Sequence, residues 1–156
     1  MATATRTRGR GTSRLSLLQG RWRPVVSWLL RLTTAAGLAV DAVVHHDLAA
    51  RYDPNQGSGP LSQGDLFQLE AVASIVVALA LLLTAWRVVW LLALLISASA
   101  LGAMLFYRYH DPGPIGPLPD MYEPYWFTEK VVAGVAEAVA TVTAAAGLFL
   151  HRHGRL

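Results

Sequence analysis

The chain has no cysteine, a single lysine (Lys130) and few charges of any kind: Asp, Glu, Lys and Arg make up 15% of its 156 residues. A soluble domain carries about 25%. Without cysteine there is no disulfide scaffold, no thiol redox pair and no thiolate metal site. Also missing are a phosphate-cradling glycine motif, an H-E-x-x-H metalloprotease pair and a serine-nucleophile elbow, so no soluble-type enzyme activity is expected. No acidic residue precedes Asp41. What is abundant is apolar surface: 54% of the residues are hydrophobic and the mean hydropathy is +0.40, which excludes a disordered chain.

The apolar residues fall into four blocks, about Val25–Leu48, Leu66–Ala85, Val88–Tyr107 and Trp126–Leu150. Each is long enough to cross a hydrocarbon core of ~30 Å at ~1.5 Å per residue. They are rich in Ala and Leu and show no period-two alternation, which argues against strands. A helix satisfies its own backbone in lipid. The expected architecture is an all-α integral membrane protein, an antiparallel four-transmembrane-helix bundle. A basic flexible arm (1–24) precedes the four-helix domain (25–150), and a short tail (151–156) follows it.

Ten of the thirteen basic residues lie on one side if both termini and the joint at Arg87 are cytoplasmic; only Arg51, Arg108 and Lys130 fall outside. This is a strong positive-inside pattern. All ten acids fall in the two outer loops or in span segments adjoining them. Trp22, Trp28, Trp86 and Trp90 are expected to mark the inner interface, and Tyr52, Tyr107, Tyr109, Tyr122, Tyr125 and Trp126 the outer one. The net charge of +3 therefore reads as a cytoplasmic collar attracted to anionic lipid, not as a nucleic-acid surface. Arg and Ala usage suggests a GC-rich bacterial genome, hence a bacterial inner membrane.

The joint around Arg87 admits only a tight hairpin. The first outer loop, Ala49–Gly64, is turn-rich. The second, Asp111–Pro124, carries five prolines, which favours extended, semi-rigid backbone. It serves either as a stiff connector or as a cap over the outer mouth. Pro24 and Pro124 are expected just before spans one and four, where a missing N–H costs little.

An ionisable residue at the bilayer centre costs ~2.5–3.5 kcal/mol on insertion scales, so each needs a reason. Asp41 and His45 are spaced i, i+4, about 40° apart on one helical face, and the stripe continues inward through Gly37 and Thr34. Asp47 and His46 point away from it. Span two places Glu70 about one turn inside, with Ser74 a turn deeper. Span four carries Lys130, Gly134, Glu137 and Thr141 on one row, with Glu137 about 16 Å below Trp126 along the axis. Span three offers nothing ionisable and reads as a packing helix. Small-residue pairs, Ala35/Ala39, Ala98/Gly102 and Gly134/Ala138, would let helices approach closely.

Two readings remain open. In one, Asp41–His45 is an internal pair and Lys130 meets a carboxylate across the bundle, so that these residues only hold helices in register. In the other, Asp41, His45, Glu70, Lys130 and Glu137 line an acidic, outward-facing site that binds a proton or cation in a transport or accessory unit, with Asp41 and His45 as candidate metal ligands. A quinone- or metal-linked redox subunit and a structural partner of a larger membrane complex or homo-oligomer are the alternatives. His45 has no histidine at matching depth in another span, which argues against bis-histidine haem; no cofactor is specified. The size and four-span layout resemble those of small bacterial membrane proteins such as the DoxX-like quinone-linked group and the small multidrug exporters. The likeness is one of outline, and no functional residue is carried across.

Overall fold

The computed structural model describes residues 14–152 apart from Ser58. The arginines at 6, 8, 10 and 155, His153 and the first 13 residues of the expected arm lie outside the described residues. Four helices follow one another: α1 (Arg14–Tyr52), α2 (Gln63–Leu83), α3 (Arg87–Tyr109) and α4 (Thr128–Arg152). All four are long and apolar enough to cross a membrane, and there are no strands among the described residues, only two isolated bridges in the loops.

Helix α1 is longer than the expected first span. It starts at Arg14, so residues 14–24 are helical and Pro24 sits inside the helix, not just before it as expected. Proline there deletes one internal hydrogen bond. Helix α2 starts where the sequence supplies a capping box: Ser62 Oγ accepts from Asp65 N and Asp65 Oδ2 accepts from Ser62 N, both at 2.9 Å.

Helix α1 packs against α2 and α4, α3 packs mainly against α4, and α1 and α3 barely touch. Close approach of α1 to α4 depends on Gly37, since a Cβ there would lie 2.9 Å from the Ala136 carbonyl. Thr34 donates to Thr143 across the same contact at 2.7 Å, and Thr141 donates to Ser97 across α4–α3 at 3.0 Å. Gly134 does admit a neighbour, Met104. Gly102 does not: a Cβ there would meet nothing within 4 Å, so Ala98/Gly102 faces away from the bundle instead of joining helices within it.

The apolar core lies toward the short α2–α3 link, hereafter the link end. Leu38, Leu81, Trp90, Ala93, Ala140 and Ala144 are all fully buried there. Trp90 was expected at an interface; it is instead core, because Gly147 leaves a space that its ring fills. Arg31, read from sequence as part of the basic collar, is also buried. Its Nε donates to the Leu81 carbonyl at 2.7 Å and its Nη2 to that of Leu82, while Trp28 stacks 4.1 Å from the guanidinium. Arg31 thus supplies donors to carbonyls left open at the α2 C-terminus.

At the opposite, loop end, the two long loops pack on one another. Gly57 and Gly59 touch the backbone of Pro119 and Pro117 so closely that a Cβ would fall 2.9 and 2.5 Å from it. Asn55 Nδ2 donates to Gln63 Oε1 at 2.6 Å and to the Asp120 carbonyl at 2.7 Å. Gly116, with φ +58°, allows the reversal closed by Leu118 N donating to the Ile115 carbonyl at 3.0 Å. Of the two roles considered for the proline loop, this packing is that of a cap.

Candidate functional site

Beneath the loops lies a cavity of about 320 Å³, within the range of small-ligand pockets. Its walls are largely apolar: Leu48, Leu66, Phe67, Met104, Tyr107 and Phe127 are among them, and Leu118 and Met121 come from the proline loop. Helix α3, expected only to pack, contributes Ala100, Ala103, Met104 and Tyr107 to one wall. Tyr107 is accordingly buried.

The polar groups are concentrated along α1, which packs against both α2 and α4. His45, Glu70 and Glu137 line the cavity, and Asp41 lies directly behind His45. One turn of helix brings His45 Nδ1 to 2.9 Å from Asp41 Oδ1. The same nitrogen lies 3.1 Å from the Asp41 carbonyl and donates to it. Helix α2 reaches the pair through Ser74, whose Oγ donates to Asp41 Oδ2 at 3.0 Å. Helix α4 reaches it through Glu137. Ligand atoms of Asp41, His45 and Glu137 all lie within 4.8 Å of one another. Asp41 and Glu137 are 1% and 2% exposed, which makes solvation by bulk water negligible.

Three carboxylate oxygens of this group, Asp41 Oδ1, Glu70 Oε1 and Glu137 Oε2, are buried without a hydrogen-bond partner. Buried carboxylates are ordinarily hydrogen-bonded or paired. Phe67 holds the other face of the site: its ring meets His45 edge-on at 5.0 Å and Tyr52 at 5.1 Å.

Lys130 borders the cavity but does not join the carboxylates. Its Nζ donates to the Glu123 carbonyl at 2.5 Å and lies 5.8 Å from the Trp126 ring. The cross-bundle ion pair considered for it is therefore replaced by a contact to the loop. The reason is depth: Lys130 stands seven residues, about 10 Å of rise, nearer the loops than Glu137, which is level with Asp41 and His45. Tyr52 fastens the same loop, donating to Glu123 Oε2 at 3.2 Å. His46 and Asp47 are exposed, with His46 donating to Gln68 at 3.1 Å. His110 stacks on Phe106 at 5.2 Å, apart from the cluster.

Sequence reasoning missed the apolar walls and the partner that Ser74 makes with Asp41. A signal existed for one of them: Phe67 lies three residues before Glu70, on the same helical face. Met121 and Leu118 gave none, because loop residues carry no periodicity. Comparison with protein-family models, curated proteins and solved structures finds no match to this chain.

Proposed function

We propose that this chain is a multi-pass protein of a bacterial inner membrane, with both termini cytoplasmic, whose loop end faces outward and binds a proton or cation as a transport or accessory unit. Membrane insertion is supported by the apolar side chains that all four helices turn outward, among them Leu32 and Val43 on α1, Leu69 and Val76 on α2, Leu95 on α3 and Val142 on α4. Orientation is supported by the asymmetry of arginine and acid along the sequence. The partners implied are the bilayer and either a membrane protein or a second copy; nothing favours nucleic acid.

One observation carries the cation reading: a buried excess of acid. Asp41 and Glu137 gather with one imidazole and Glu70 lines the same cavity; Glu70 Oε1 and Glu137 Oε2 have no hydrogen-bond partner, while Lys130 gives its ammonium to a carbonyl. An uncompensated buried charge costs several kcal/mol, so protons or a bound cation complete the site. Desolvated ionisable groups in a membrane are a mark of ion pathways and proton relays. The test is reconstitution into liposomes under a pH or cation gradient. Glu137→Gln is expected to abolish flux while circular dichroism stays that of the parent; unaltered flux would remove the reading. The apolar walls favour a second reading, a quinone-linked redox subunit, for which quinone should co-purify with the gently extracted protein.

A further inference from the structure

We infer that the cation is a divalent transition metal of the zinc class, held by Asp41 Oδ1, His45 Nδ1 and Glu137 Oε2, with Ser74 fixing the outer shell. The inference rests on the cation reading above and narrows it. It starts from the donor set: one imidazole nitrogen and two carboxylate oxygens suit borderline divalent ions such as Zn²⁺ better than alkali or alkaline-earth ions, which take oxygen alone.

Geometry supports the same choice. Two ligands at about 2.0–2.2 Å from one zinc ion, at tetrahedral or right angles, stand about 2.8–3.6 Å apart. His45 Nδ1 and Asp41 Oδ1 are 2.9 Å apart. Nδ1 sits between two acceptors, Oδ1 at 2.9 Å and the Asp41 carbonyl at 3.1 Å, so a hydrogen now occupies the place between imidazole and carboxylate that an ion would take. When the metal binds, that hydrogen moves to Nε2 or leaves, and the Nδ1 lone pair becomes a ligand. Glu137, with a longer and more rotatable side chain, supplies the third oxygen from α4. Its Oε2 is buried without a partner and its carboxylate borders the cavity.

The surroundings complete the argument. Ser74 Oγ engages Asp41 Oδ2, which orients the carboxylate and leaves Oδ1 for the ion; outer-shell hydrogen bonds of this kind are typical of metal carboxylates. Two ionised ligands and a neutral imidazole match the double charge of the ion. His45 and Glu137 face the cavity, from which water or an exchanging ligand would fill the remaining coordination position.

The test titrates Zn²⁺ into the untagged full-length chain in lipid nanodiscs, after chelator treatment, by isothermal calorimetry. One ion per chain is expected. His45→Gln and Glu137→Gln should each weaken binding a hundredfold or more, and Ser74→Ala by about tenfold. His46→Gln, one residue away but turned outward, should leave the isotherm unchanged. Co²⁺ bound in place of Zn²⁺ should give visible absorption that His45→Gln alters. If wild-type chain takes up no Zn²⁺, or if folded His45→Gln and Ser74→Ala bind it as tightly as wild type, the metal assignment is overturned. Zn²⁺ silence with flux that still depends on Glu137 would overturn the metal alone; silence with no flux would overturn the cation reading as well.

Discussion

The link end and the loop end of this bundle treat buried polarity in opposite ways. At the link end, helices touch through Leu, Ala and the Trp90 ring set into Gly147, and the buried Arg31 is engaged by two carbonyls and a tryptophan face. At the loop end, the helices stand far enough apart to leave a cavity, lined by Glu70 and Glu137, each with a buried carboxylate oxygen that has no hydrogen-bond partner. The first arrangement is what stability favours. The second carries a cost that packing alone would have removed, and such costs gather where a protein binds something.

The sharpest way to separate the two ends is to damage each. Trp90→Ala should have the largest effect on stability, about 3–5 kcal/mol, read as unfolding in a denaturing-detergent titration, while leaving cation binding per folded molecule intact. Arg31→Ala comes next, at about 1.5–3 kcal/mol, because the Leu81 and Leu82 carbonyls lose a charged donor; Arg31→Lys should recover only part, since an ammonium lacks the guanidinium fork. Glu137→Leu should move in the reverse direction, neutral or more stable by about 1–4 kcal/mol, with binding abolished. If Glu137→Leu destabilised the fold as much as Trp90→Ala, the loop end would be a structural core like its counterpart. The smallest effect belongs to Tyr52→Phe, about 0.5–1.5 kcal/mol, which should loosen the proline loop as seen by faster hydrogen exchange near Glu123.

Much of the helical plan was legible in the sequence because hydropathy and period report directly on it. Blocks of spanning length gave the four helices to within a few residues, apart from the start of α1, where Arg-rich sequence continues the helix past the apolar block. The i, i+4 spacing of Asp41 and His45 fixed their contact, since one helix determines both positions. Contacts between helices were less accessible. Nothing in spacing says that α2 presents Ser74 to Asp41, that Lys130 turns to Glu123, or that Arg31 crosses to the end of α2, because these depend on rotation and depth of one helix against another.

Composition and periodicity alone determined that this chain forms four apolar helices, where its acids lie along them, and which polar residues share a stripe; each is a property of a single segment and its solvent. Only tertiary structure decided that stripes from α1 and α4 meet through Gly37, that two loops close over an apolar chamber, and that a serine from α2 completes the pair beneath it. Those outcomes depend on how close two backbones can come, a distance set by side-chain volumes on both partners at once.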